Sequence, residues 1–411
     1  MIIKMRILLL NTSEQTGGAA IAANRLMKAL NKNGVEAKML VRDKRSDDSK
    51  VYTVNTSWFK RKINFIRFLW ERLIIFIATG FDRKNLFRVS IANTGTDISK
   101  HPFVQEADVI HLHWTNQGFL SLSDIKKLIA IKKPVVWTMH DCWIMNGIYH
   151  YPEGEESGIK SLVDLDKKFL KKKARLELSK VTFVGCSKWI VNEAKRSQLL
   201  SGASILSIPN PIDLNVFCPI EKREARSILS LPQDKFILLF TAAKVSDKRK
   251  GLAYFIQACN ILKEQYPGIA ENTEVAVMGA KEEIETHSLP VHHLGYVSDA
   301  KKMIAAYSCA EIFVIPSLED NLPNTIMESM ACGVPCVGFN VGGIPEMIDH
   351  KQNGYVADYK DPQDLARGIE WVLSHPDKQA LSEACIKKVE ENYAEAVVAR
   401  QYIELYTNSL Q

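Results

Sequence analysis

No stretch of this chain approaches the roughly 20 apolar residues that a membrane-spanning helix needs, so the sequence is not expected to cross a bilayer. Its apolar start, MIIKMRILLL, is short and has no small-residue cleavage site, and it reads as a first strand rather than a secretory leader. Cysteines occur only as eight scattered residues with no CxxC pair. Cys332 and Cys336 have no second pair to complete a zinc site, so reduced, buried thiols of a cytosolic protein are expected. The glycine fingerprint GxGxxG is missing, which argues against a dinucleotide oxidoreductase. Repeats and low-complexity segments are also missing. No nucleic-acid-binding motif accompanies the basic residues, so nucleic acid is not expected as a partner.

What is present is ordinary globular material. The 411 residues are 46% hydrophobic and 24% charged, comfortable for two domains. The net charge of +6 hides a division: residues 1–200 hold 34 Lys/Arg against 19 Asp/Glu, and residues 201–411 hold 19 against 28. The first half should therefore face something anionic, such as a membrane surface, a lipid pyrophosphate or an acidic glycan. Residues 58–81 interleave Arg61, Lys62, Arg67 and Arg72 with Trp, Phe and Ile, the pattern of a basic amphipathic helix. Lying in a bilayer interface and packing on its own domain are equal readings for it.

Short apolar strands alternate with helical patterns throughout. Strands are expected at 5–10, 36–41, 107–114, 134–141, 181–187 and 205–211, with a helix at 19–31. The pattern then restarts with strands at 235–243, 274–279, 291–296, 312–317 and 334–339 and helices at 250–265 and 299–308. This predicts an α/β chain of two Rossmann-like, doubly wound parallel-sheet domains. The boundary falls after Pro211, giving domains 1–211 and 212–392, and a C-terminal helix near 393–411 should pack back on the first. Ligands of such sheets bind beyond the carboxyl ends of the strands. Gly17, Gly18, His113, Trp114, His140, Asp141, Lys244, Gly295, Tyr296 and Asp320 all fall at such ends, and one cleft between two facing domains would collect them.

The most informative segment runs from Pro316 to Glu346, PSLEDNLPNTIMESMACGVPCVGFNVGGIPE. Asp320 lies in a loop after an apolar strand, and Glu328 lies inside the next helix. Pro323, Asn324 and Thr325 suit the start of that helix. Free N–H groups and the positive dipole end there suit a phosphate, while the loop carboxylate can reach a sugar. The helix carboxylate can accept hydrogen bonds from ribose hydroxyls.

These residues resemble the retaining GT-B glycosyltransferases of family 4 (glycosyltransferase group 1), whose hallmark is P-S-x-x-E-G-x6-E-A-M-A-x-G-x-P. The chain keeps Pro316, Ser317, Glu328, Met330, Ala331, Gly333 and Pro335, with Asp320 for the first Glu and Asn321 for the Gly. The variant D-N-L-P-N is similar to bacterial exopolysaccharide and lipopolysaccharide transferases, the colanic-acid type among them, as is the stretch after His140-Asp141. The resemblance implies a role for each matching residue. Glu328 would hold ribose, and Lys244 and Lys250 the diphosphate, with Lys248 or Arg249 as alternatives to Lys244. Asp320 and the Asn321–Leu322–Pro323–Asn324 turn would hold the sugar, with Glu319 as the alternative carboxylate. Gly295, Tyr296 and Val297 would hold the base, and Gly17 and Gly18 would sit beside the phosphates or the acceptor. His140 would lie at the reacting carbon, and His113 and Trp114 at the acceptor, with core packing an equal reading for Trp114.

The expected activity is retaining, metal-independent transfer of a hexosyl or deoxyhexosyl group. The donor would be a UDP- or GDP-sugar co-substrate and no further cofactor is expected. The acceptor would be a hydroxyl of a lipid-linked, lipopolysaccharide or capsular glycan. The expected location is cytoplasmic and peripheral on the inner face of the membrane. A non-catalytic nucleotide-sugar or glycan-binding subunit and a sugar-nucleotide epimerase are the rival readings. A glycosidase fits less well, because its two acids must flank the scissile bond.

Overall fold

Along the first strand Ile7 and Leu9 face one side and Leu8 and Leu10 the other, and all four are buried, as they must be in a sheet covered on both faces. The structure, a computed structural model, describes residues 5–83, 86–151, 160–241, 247–279, 284–297 and 299–411. It divides into two compact units, residues 1–211 with 395–411, and residues 212–394.

The first unit is built on seven strands: β1 (Arg6–Ser13), β2 (Glu36–Asp43), β3 (Val51–Thr53), β4 (Val109–Leu112), β5 (Val135–Met139), β6 (Val181–Gly185) and β7 (Ser204–Ser207). Their order is β3-β2-β1-β4-β5-β6-β7, and every pair is parallel. One face of the sheet packs Leu8, Leu10, Ile110, Leu112, Trp137 and Phe183 into a core. The other packs Leu9, Val109, Val136 and Val184 against Val398, Tyr402 and Tyr406 of the C-terminal helix Glu395–Leu410. That helix also contacts helix Gly18–Lys32, where Lys32 Nζ lies 2.5 Å from Glu395 Oε2.

The second unit holds β8 (Phe236–Thr241), β9 (Thr273–Met278), β10 (Val291–Gly295), β11 (Ile312–Ile315), β12 (Cys336–Phe339) and β13 (Gly354–Ala357). The order is β10-β9-β8-β11-β12-β13, again all parallel. Leu238, Phe240, Val275, Val277, Val314 and Phe339 anchor its core. In each sheet the chain winds outward to one side and then restarts on the other. The switch points lie between β1 and β4 and between β8 and β11, where ligands of open α/β sheets bind.

Several boundaries differ from those expected. The strand expected to reach Trp114 ends at Leu112, and the one expected to reach Asp141 ends at Met139, so both histidine pairs of interest sit in loops. The helix expected from Lys250 starts at Leu252: Lys248–Lys250 form a 3-10 turn, and Gly251 in the left-handed region separates the two. The edge strands β3 and β13 are too short to show a pattern in sequence. All eight cysteines are free and seven are buried; Cys218 is the exposed exception to the expectation of buried thiols. No helix among the described residues is long and apolar enough to cross a membrane.

Candidate functional site

In the second unit, the loops that follow β8 and β11 converge at the switch point. Gly251 has φ +68°, and a Cβ there would meet the Pro316 carbonyl oxygen at 1.7 Å. Only glycine allows these two backbones to approach so closely. Leu318 N donates to Arg249 O at 2.7 Å across the same junction. The result places Lys250 Nζ 2.8 Å from Asp320 Oδ2, and Ser317 Oγ donates to that same carboxylate oxygen at 3.3 Å. Arg249 instead forms a forked pair with Asp247, so it is Lys250 that reaches Asp320. Lys244 lies outside the described residues.

The helix after Asp320 runs Asn324–Ala331, with Pro323 at its N-cap position and Asn321 and Leu322 buried just ahead of it. Glu328 lies within that helix, is buried, and accepts a hydrogen bond from Tyr307 Oη at 2.6 Å. The V-G-G-I-P-E segment has a structural reason for its glycines. Gly342, at φ +57°, lies against Asp320, whose carbonyl oxygen a Cβ would meet at 1.7 Å. Gly343 N donates to that oxygen at 3.4 Å. Gly295 closes β10 at φ +65°, followed by Tyr296, which is 76% exposed, and a half-buried Val297.

In the first unit, Gly17 (φ +91°) caps helix Gly18–Lys32 and has open space where a side chain would stand. Its glycine is required by backbone conformation alone. At the neighbouring strand end, His113 Nδ1 lies 3.0 Å from His140 Nε2. Trp114 is fixed at three points: its amide donates to Asn11 Oδ1 at 2.7 Å, its carbonyl accepts from Thr12 Oγ1 at 3.0 Å, and its indole donates to Asp141 Oδ2 at 3.0 Å. His113, Trp114, His140 and Asp141 line a small concavity together with Thr115 and Asn116. His113 Nε2, Thr115 Oγ1 and Asn116 Oδ1 are buried there without a hydrogen-bond partner among the described residues. Buried polar atoms are normally paired, so three together on one concave wall suit a hydroxyl-rich ligand.

Burial keeps these imidazoles neutral. It pushes His111 down to about 3 and His113 well below the ordinary value. For His140 burial outweighs the nearby Asp141 charge and gives about 4. Burial alone would raise Asp141; the charge and hydrogen bond of His150, with the Trp143 amide and Trp114 indole, hold its carboxyl below the usual carboxylate value.

Sequence reasoning missed Thr115, Asn116, His111, His150 and Lys173. The H-L-H spacing of His111 and His113 was the available signal, since alternate residues share a face of a strand. Lys173 is fully buried, donates to Asn146 O at 2.7 Å and stacks 3.6 Å from the Trp143 ring, and burial pushes its amine well down. Ser90 Oγ, His150 and Asp141 are linked at 2.9 and 2.6 Å in the order of a hydrolase triad. Ser90 is only 1% exposed and both its backbone groups are paired, so this chain braces the loop and offers no nucleophile.

Comparison with known proteins gives this geometry a context. Residues 235–375, inside the second unit, match the family model described as Glycosyl transferases group 1. The chain is 27% identical to the D-inositol 3-phosphate glycosyltransferase of Paenarthrobacter aurescens over 64% of this chain and 63% of that protein. It is 29% identical to the amylovoran biosynthesis glycosyltransferase AmsK of Erwinia amylovora over 46% of this chain and 51% of that protein. The matched region thus spans between half and two-thirds of these relatives. Among solved structures it resembles Anabaena Alr3699/HepE in complex with UDP and glucose, with TM-score 0.63, 16% identity, and 98% and 99% of the two chains covered. The two all-parallel α/β units and these likenesses define the fold as GT-B.

Proposed function

We propose that this protein is a glycosyltransferase that moves a hexosyl or deoxyhexosyl group from a UDP- or GDP-sugar to a hydroxyl of a lipid-linked, lipopolysaccharide or capsular glycan. The observation that carries the reading is the Lys250–Asp320 pair, 2.8 Å apart beside the start of helix Asn324–Ala331 and within the matched domain. A cation, a sugar-reaching carboxylate and the positive end of a helix dipole form the combination a sugar diphosphate needs. AmsK, named for amylovoran biosynthesis, supports a glycan acceptor, and the UDP and glucose of the Anabaena structure support the donor class.

In this reading the donor's diphosphate displaces Asp320 from Lys250, and Lys244 joins it. The amides at Asn324 and Thr325 add their dipoles, so the charge that develops on the leaving phosphate is neutralised without a metal ion. The freed Asp320 carboxylate accepts from a sugar hydroxyl, against the Asn321–Leu322–Pro323 backbone. Glu328 takes the ribose hydroxyls, and Gly295, Tyr296 and Val297 take the base. Gly17 and Gly18 lie beside the phosphates or the acceptor. As the bond from the anomeric carbon to the phosphate oxygen breaks, the acceptor oxygen bonds to that carbon from the same face. The acceptor's proton passes to the departing phosphate oxygen, and the anomeric configuration is retained. The neutral His140 faces the cationic carbon without adding charge, while His113, Trp114, Thr115 and Asn116 receive acceptor hydroxyls.

A panel of nucleotide sugars screened by thermal shift tests this, because a ligand bound only by the folded state raises the melting point. The matching UDP- or GDP-sugar should raise it and release free nucleotide slowly when no acceptor is added. A panel that gives neither a shift nor nucleotide release overturns the proposal.

A further inference from the structure

The helix Trp58–Ala78 turns much of its polar side inward. Asn64, Arg67, Glu71 and Arg72, four of its seven polar residues, face the body of the first unit together with Ile75. Asn64 Nδ2 donates to Asn55 Oδ1 at 2.6 Å, and Arg67 Nη1 donates to Thr96 Oγ1 at 2.9 Å. Glu71 Oε1 accepts from the Ile91 and Ala92 amides at 2.9 and 3.1 Å and pairs with Arg72, which donates to Leu86 O at 2.6 Å. These bonds fix the rotation of the helix, because turning it would leave a buried carboxylate and guanidinium unpaired.

The consequence is an apolar face presented outward. Phe59, Ile63, Ile66, Leu69, Trp70 and Leu73 are all exposed, with Phe59 at 72% and Trp70 at 53%. At about 100° per residue they fall within an arc of roughly 120°, a continuous stripe rather than scattered surface residues. Exposed Lys60, Arg61 and Lys62 crowd its start, and exposed Arg83 and Arg88 follow its end. The acids within residues 58–83 are Glu71, which is buried and paired with Arg72, and Asp82, which is half-buried, against five exposed cations at Lys60, Arg61, Lys62, Arg83 and Arg88.

We propose that this face docks the protein on an anionic lipid surface, with the apolar stripe in the headgroup–acyl boundary and the basic rim on lipid phosphates. A bilayer interface supplies an apolar phase and negative charge side by side over the length of the helix, which matches both halves of the pattern. The polar anchors hold the stripe ready, so binding requires no refolding of the helix.

Sedimentation with vesicles tests it, using equal parts phosphatidylglycerol and phosphatidylcholine against phosphatidylcholine alone. The full chain should sediment with the anionic vesicles at low salt and more weakly at high salt. The variant F59S/I66S/W70S should bind at least about tenfold more weakly with an unchanged circular dichroism spectrum, since those side chains are exposed. The second variant, K60Q/R61Q/K62Q, should lose most of the salt dependence, each cation contributing about fivefold near an anionic surface. A chain that stays in solution with both vesicle types overturns the proposal, as does a triple-serine variant that binds like the parent. A dimer in sedimentation velocity that the triple-serine variant dissolves would make the face an interface between copies, which also overturns it. Vesicle binding is read without nucleotide sugar, so failure here leaves the donor assignment standing.

Discussion

Lys250 and Asp320, seventy residues apart in the chain, meet at 2.8 Å because Gly251 lets the loop after β8 rest directly on Pro316. The pair is half-exposed on the lysine side, so its own contribution to stability is small, within about 1 kcal/mol. Its value is positional. Each group keeps the other at the switch point.

Lys250→Met should therefore leave the melting temperature nearly unchanged and lower turnover by about 10²–10³-fold, the loss typical of one charge-stabilising donor. Lys250→Arg keeps the charge with a different geometry and should fall between. Asp320→Asn should reduce kcat/KM for the sugar donor while leaving binding of the free nucleotide diphosphate intact. Steady-state kinetics with calorimetric nucleotide titration separates the two. Equal loss of nucleotide affinity in both variants would remove Asp320 from the sugar.

Two glycines support the same corner for steric reasons and a third does not. Gly251→Ala and Gly342→Ala each drive a methyl carbon onto a backbone carbonyl oxygen at 1.7 Å, at positive φ. Each should cost about 3 kcal/mol or more and displace Lys250 or Asp320. Gly17→Ala meets open space and should cost about 1–3 kcal/mol, the strain of its backbone conformation alone. Urea midpoints that rank Gly17→Ala as the most damaging would contradict the packing described here.

Much of this was legible in sequence, for identifiable reasons. Both faces of each sheet are buried, so strands such as ILLL and FILLF appear as unbroken apolar runs, and the winding follows from their alternation with helices. Asp320, Pro323 and Glu328 stand out because loop, helix start and helix interior each demand different residue types. The helix boundary at Leu252 was not legible, because Gly251 acts through contact with Pro316, far away in sequence. Thr115 and Asn116 look like ordinary loop residues until their missing partners are seen. Trp58–Ala78 was recognisable as amphipathic, but which face turns inward is decided by Ile91, Ala92 and Thr96, which no local pattern reveals.

Glu328→Gln tests the proposed ribose contact. The amide still accepts from Tyr307 Oη, 2.6 Å away in the present structure, so the fold should tolerate it. It loses one charged acceptor for the ribose hydroxyls, so donor KM should rise about tenfold with a smaller change in kcat. A fall in kcat at constant KM would move Glu328 from binding to chemistry.

The buried histidines make the first unit sensitive to acid. His111 and His140 are held near 3 and 4 in the fold, and His113 lower than its ordinary value, against about 6.5 when unfolded. Below 6.5 the unfolded chain binds more protons than the folded one, so stability falls as pH falls. It is fully present above about 6.5 and lost progressively toward 4, by up to about 1.4 kcal/mol per pH unit for each histidine that protonates only on unfolding. Melting temperatures measured from pH 7.5 to 4.5 should decline over that window, and His140→Gln should flatten the slope. A flat profile in the parent protein would mean these rings are solvated.

The C-terminal helix reaches the same histidines through a line of hydrogen bonds. Tyr406 Oη lies 2.7 Å from His111 Nδ1, His111 Nε2 lies 2.8 Å from Thr138 Oγ1, and Thr138 Oγ1 lies 2.9 Å from Tyr402 Oη. Either neutral tautomer satisfies both ring nitrogens, because each faces a hydroxyl that can donate or accept. His111 in turn packs with its ring centroid 4.1 Å from that of His113. Tyr406→Phe removes the hydrogen-bond partner of Nδ1 and should cost about 1–3 kcal/mol, the penalty of an unpaired buried polar group. Tyr402→Phe removes a terminal link and should cost less, because Thr138 keeps its bond to His111. The double variant should cost less than the sum, since both tyrosines act on one network. Urea unfolding of the three variants measures this, and turnover should fall in Tyr406→Phe as His113 loses its fixed neighbour. Strict additivity of the two substitutions, with unchanged turnover, would show that the helix merely covers the sheet.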